Sequence, residues 1–87
     1  MTVDDVGLLF RRNAVPSDYY VLDGGLGAGE CYGIELRDGE WVVYYSERGS
    51  KNELRRTPSE DAACRLIVEY VSESMMHRFG RPIALPK

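Results

Sequence analysis

The sequence holds 87 residues, 44% of them hydrophobic and 29% charged, with a formal net charge of −3. That length supports one domain with one modest core and leaves little room for a deep active-site cavity. The acidic balance argues against a general nucleic-acid binder, which needs a basic surface, and no apolar run approaches the ~18 residues of a membrane span.

Residues 1–14 read as an N-terminal helix. Val3, Val6, Gly7 and Phe10 fall at the spacing of one helical face. Thr2 is placed to cap it, Asp4 and Asp5 sit in the first turn, and Arg11 and Arg12 come near the end, as the helix dipole favours. Asp4 and Asp5 also stand where the basic region of a signal peptide would be, so a cytoplasmic protein is expected. Pro16 stops helical continuation.

Residues 15–30 form a glycine-rich loop region around a short strand-like run, "YYVL". The stretch "DGGLGAGE" invites comparison with a phosphate loop. It leads into the alternating run "CYGIEL" rather than a helix N-terminus, and Glu30 stands where G-x-G-x-x-G needs its last glycine. The loop is therefore expected to be a flexible connector, with no cofactor and no small-molecule ligand.

Residues 31–56 read as a three-stranded antiparallel sheet. Asp38-Gly39 between two alternating runs signals a two-residue hairpin turn. That turn sets Arg37 against Glu40, Leu36 against Trp41, Ile34 against Val43 and Tyr32 against Tyr45. The face bearing Tyr32, Ile34, Leu36, Trp41, Val43 and Tyr45 is the expected core face. The face bearing Gly33, Glu35, Arg37, Glu40, Val42, Tyr44 and Ser46 is the expected solvent face. Ser46 to Gly49 should turn the chain into a third strand at about 51–56, with Leu54 inward and Lys51, Glu53 and Arg55 outward.

Residues 58–79 read as a long helix. Thr57 is the expected N-cap, with Pro58 first in the helix and Glu60 completing a capping box. Ala63, Leu66, Ile67, Tyr70, Val71 and Ser74 make one stripe, expected to lie on the sheet. Gly80 and Pro82 end the helix, and residues 80–87 form a tail. The fold class is therefore α+β in two layers: a helix, a three-stranded antiparallel sheet and a long helix packed on one sheet face.

Little in this chain suggests catalysis. Cys31 and Cys64 form no CxxC pair and are read as reduced core residues. His77 is a lone histidine near a helix end, without the neighbours that a nucleophile, an acid–base pair or a metal would need. No metal, no cofactor and no enzyme activity are expected. Tyr44 stands out on the expected polar face, because tyrosine framed by Glu35, Arg37, Glu53 and Arg55 suits protein binding.

Three runs carry a family resemblance. They follow V-P-x-x-x-Y-x-L-x-G-G, then G-x-W-x-V-Y-Y-S-E-R-G, then S-E-D-x-A-C, and the similarity around them covers roughly residues 15 to 71. The chain resembles small bacterial immunity proteins found beside polymorphic toxins, above all NAD-glycohydrolase toxins of the tuberculosis necrotizing toxin type. The resemblance implies a non-catalytic protein that binds a cognate toxin domain and blocks its NAD-binding cleft. It carries no list of contact residues.

The residues themselves nominate Tyr44 and Arg37 on the sheet, Glu47 and Arg48 at the strand turn, and Asp23 and Glu30 beside the glycine loop as partner-binding candidates. Acids there could meet a basic cleft that holds the phosphates of NAD. The alternatives are a small interaction or regulatory module, acting through the same sheet face or as a homodimer, and, less favoured, a small enzyme or ligand-binding protein.

Overall fold

A computed structural model describes residues 1–26 and 29–83. Helix α1 (Val3–Arg12) opens the chain, and strand β1 (Tyr20–Val21) follows a short 3-10 turn. Strands β2 (Cys31–Arg37), β3 (Glu40–Glu47) and β4 (Ser50–Thr57) come next, and helix α2 (Glu60–Phe79) closes the fold. The class is α+β as expected, but the sheet has four strands in the order β1-β2-β3-β4 and is mixed. The added strand is the "YYVL" run. It pairs parallel to β2, Tyr20 with Tyr32 and Val21 with Gly33.

The hairpin obeys its turn chemistry. Asp38 and Gly39 both take positive φ, and every expected pair is present, from Arg37–Glu40 to Tyr32–Tyr45. A second turn of the same kind joins β3 to β4. Arg48 and Gly49 take positive φ between Glu47 and Ser50, so Ser46 belongs to the strand rather than to the turn.

A register shift at Val43/Tyr44 then changes the third strand of the expected sheet. Tyr44 pairs with Glu53 but Val43 pairs with Arg55, leaving Leu54 as the extra residue. The shift moves Arg55 to the helix-facing side, opposite the expectation. Leu54 is 37% exposed rather than in the core.

Helix α1 is capped by a reciprocal box between Thr2 and Asp5. Helix α2 begins later than its sequence suggests. Ser59, not Thr57, is the N-cap, and its hydroxyl accepts from the Ala62 N–H at 3.1 Å. Thr57 precedes proline, which favours extended backbone, and it ends β4 opposite Trp41. The two helix starts are tied together. Glu60 accepts from the Val3 N–H at 3.0 Å, and the N-terminal ammonium meets Asp61 at 2.7 Å.

The core lies between the sheet and both helices. Val6, Leu9, Phe10 and Val15 join Ile34, Val43 and the buried face of α2. On α2 that face is Ala63, Cys64, Ile67, Val68, Val71 and Met75. Leu66, Tyr70 and Ser74 are only half-buried. The stripe is rotated from the expected one because α2 packs against α1 as well as the sheet. Both cysteines are buried, and neither is in a disulfide. The tail turns back after Gly80, with Ile83 buried and its N–H donating to Ser72 at 3.1 Å. Residues 84–87 of the expected tail, and Gly27 and Ala28 of the glycine loop, lie outside the described residues.

Candidate partner-binding site

The sheet's two faces are not the core and solvent faces that alternation implied. On the helix side only the central pair, Ile34 and Val43, is fully covered. Leu36 is 58% exposed at one end, and Tyr32 and Tyr45 are half-buried at the other. On the opposite side Val42 and Tyr44 are fully buried and Ser46 is nearly so.

The glycine-rich segment covers that side. The Tyr44 hydroxyl donates to the Gly25 carbonyl at 2.6 Å, and the Lys51 ammonium donates to the Gly24 carbonyl and reaches Glu35 at 2.9 Å. Gly33 makes room for the ring: a Cβ there would lie 2.2 Å from Tyr44 Cζ. The described start of the connector, residues 23–26, is thus a strap held against the sheet. Tyr44, expected to face a partner, is instead the residue that the strap holds.

The charges on this outer face are matched. Arg37 contacts Glu35 at 3.1 Å and Glu53 at 3.9 Å, while Arg56 contacts Glu53 at 2.8 Å and Glu40 at 3.6 Å. Burial pushes the Glu35 carboxyl up, but hydrogen bonds from Lys51 and Arg37 outweigh it and leave it below its ordinary value. The Tyr44 phenol is pushed up to about 12, by burial first and then by the Glu35 charge. Arg37 is half-buried inside this lattice, and its cross-strand neighbour Glu40 bonds Arg56 instead.

The other nominated residues separate. Asp23 caps its own turn, its carboxylate accepting from the Gly25 N–H at 3.0 Å, and faces a groove between α1 and β1. Arg37 and Arg48 flank opposite ends of β3, whose length puts them on the order of 20 Å apart at ~3.3 Å per residue. Glu30 and Glu47 both lie near Tyr45. Burial, then the Glu30 and Glu47 carboxylates, raise the Tyr45 phenol above its ordinary value. Arg48 is exposed at the adjacent turn, while Glu47 is half-buried at the end of β3.

This end of the molecule also carries a tyrosine cluster, expected in the core but partly open. The Tyr32 and Tyr70 rings stack with centroids 5.2 Å apart and planes 12° apart, and Tyr45 lies tilted 5.1 Å from Tyr32. A cleft of about 410 Å³ opens beside the three rings, with Leu54, Asn52 and Glu47 completing its wall. A second cleft of about 380 Å³ shares Tyr32 and Tyr45 and holds Glu30, Tyr19 and Arg78. The facing of Tyr32 and Tyr45 was legible from the hairpin register. That α2 covers them only in part was not.

Among the described residues, no group of three or more His, Cys, Asp or Glu side chains could hold a metal ion. Among the same residues, no helix is long and apolar enough to cross a membrane. His77 is exposed near the end of α2. No protein-family model, curated protein or solved structure matches the chain.

Proposed function

We propose that this protein is a cytoplasmic immunity protein that binds a toxin domain and inhibits it, with an NAD-glycohydrolase toxin as the leading partner. The observation that carries the reading is the end of the sheet where Tyr32, Tyr45 and Tyr70 lie partly open beside Glu30, Glu47 and the exposed Arg48 turn. Tyrosine with charge at its margin is the composition of a protein-binding patch. Acidic side chains there suit a cleft built to hold phosphates. The family resemblance supplies the toxin class, and the protein acts by occupying the cleft rather than by chemistry of its own.

The alternative is an interaction module that pairs with a second copy through β4, an edge strand exposed along nearly its whole length. The irregularity at Leu54 and the basic residues Lys51, Arg55 and Arg56 oppose such pairing.

The test mixes the purified protein with an NAD-glycohydrolase toxin domain of the tuberculosis necrotizing toxin type and follows NAD loss and complex formation. Stoichiometric inhibition with a stable complex is expected. Charge reversal at Arg48 should weaken the complex by about 1 kcal/mol or more. Undiminished NAD loss with no complex overturns the NAD-toxin reading, and a lone stable dimer under those conditions favours the module.

A further inference from the structure

We infer that the tyrosine cleft at the end of the sheet receives an arginine side chain from the protein partner. The inference deepens the reading above and rests on it for the partner's identity. The cleft is aromatic on its walls, with Tyr32 and Tyr70 as near-parallel plates and Tyr45 tilted against them. Leu54 adds an apolar surface, and Glu47 and Asn52 give the rim a carboxylate and an amide. Glu30 stands against Tyr45 on the neighbouring side.

The charge pattern selects a cation. On the outer sheet face Glu35, Glu40 and Glu53 each contact an arginine or lysine of the same chain. Glu30 and Glu47 make no ion pair among the described residues. Carboxylates beside electron-rich ring faces attract a cation twice, by direct charge and by the ring quadrupole. A guanidinium fits better than an ammonium, since it is planar, weakly hydrated and able to stack on a ring while its edge donates to a carboxylate.

The chain already uses this geometry nearby. The Arg78 guanidinium lies 5.2 Å from the Tyr19 ring centroid and donates to the Tyr19 hydroxyl at 3.2 Å. That pair borders the second cleft, where the guanidinium of Arg78 is engaged with Tyr19, while among the described residues no basic side chain lines the cleft of Tyr70 and Glu47.

The test titrates the full chain with N-acetyl-arginine methylamide and, separately, with the neutral isostere N-acetyl-citrulline methylamide at matched ionic strength. NMR follows the Tyr32, Tyr45 and Tyr70 ring resonances. Saturable shifts confined to these rings are expected, with the arginine compound binding at least about threefold more tightly than the citrulline compound. Glu47→Gln, a change on the rim that leaves the rings in place, should remove most of that preference. Glu40→Gln, at the far end of β3, should leave it intact.

Equal affinity for the two compounds, or shifts away from the tyrosines, overturns the inference. The two readings fail separately. An arginine-selective cleft in a protein that leaves the toxin uninhibited discards the toxin but keeps the cleft. A toxin complex in which the three tyrosine rings stay unshifted discards the cleft but keeps the toxin.

Discussion

Replacing Gly33 by alanine tests whether the strap and the Tyr44 ring are one packing unit. Gly33 lies inside β2 without positive φ, so on backbone grounds alone alanine should stabilise the protein by about 0.4–1 kcal/mol. The structure reverses that sign. The new Cβ would meet Tyr44 Cζ at 2.2 Å, Cε2 at 2.4 Å and the hydroxyl oxygen at 2.5 Å. The ring cannot yield cheaply, because it is fully buried and its hydroxyl is bonded to Gly25. Overpacking costs about 1–3 kcal/mol, and losing the hydroxyl bond adds about 1 kcal/mol. Against the backbone gain, the net loss is about 2 kcal/mol. In a domain this small that lowers the melting temperature by roughly 8–16 °C. The assay is thermal and urea unfolding of Gly33→Ala, Tyr44→Ala and the double variant. Alanine at 33 should cost much less once Tyr44 is gone, with a coupling of about 1 kcal/mol or more. A Gly33→Ala protein as stable as the parent, or strictly additive losses, would refute the argument.

Three further outcomes follow from the same structure. The folded Tyr44 phenol, pushed up from 10.0 to about 12, contributes stability that is present below pH 10 and lost as pH rises toward 12; Tyr44→Phe should flatten that alkaline loss in urea titrations. The lowered Glu35 carboxyl works in the opposite direction. Its contribution is present above its ordinary value of 4.5 and disappears as pH falls through the lowered folded value, so Glu35→Gln should weaken the acid dependence of the unfolding midpoint. Ser59→Ala should cost about 1 kcal/mol in urea unfolding, more than Thr57→Ala, and the reverse order would return the cap to Thr57.

The parts of the fold that were legible are those specified locally. Asp38-Gly39 fixes a turn because two adjacent residues must take positive φ, and the turn then fixes every pair along β2 and β3. Helix α1 was readable because Thr2, the two aspartates and the two arginines mark its ends. Strand β1 was not readable as a sheet member. Its two residues pair with β2 across the glycine segment, and nothing within "YYVL" encodes that distant contact. The N-cap of α2 was a local ambiguity in "TPSE": both hydroxyl residues offer a cap, and Thr57 is taken up at the end of β4 opposite Trp41, which leaves the cap to Ser59.

Alternation along a strand says which residues share a face. It does not say which face is covered. The strands carried a hint that both faces were: Val42 and Tyr44 on the nominally polar side, with Gly33 directly opposite Tyr44. A ring lying over a glycine needs a cover, and the glycine segment provides it with carbonyls for Tyr44 and Lys51. The consequence reaches the site. Once the outer face is closed by the strap and its ion pairs, its tyrosine is structural and its charges are spent on one another. The tyrosines that remain open are those at the end of the other face, where α2 leaves Tyr32 and Tyr45 partly uncovered. A binding surface therefore arises where the helix fails to cover the sheet. Its rim acids, Glu30 and Glu47, make no ion pair among the described residues, because the outer-face bases Lys51, Arg37 and Arg56 are engaged with Glu35, Glu40 and Glu53 on the other face.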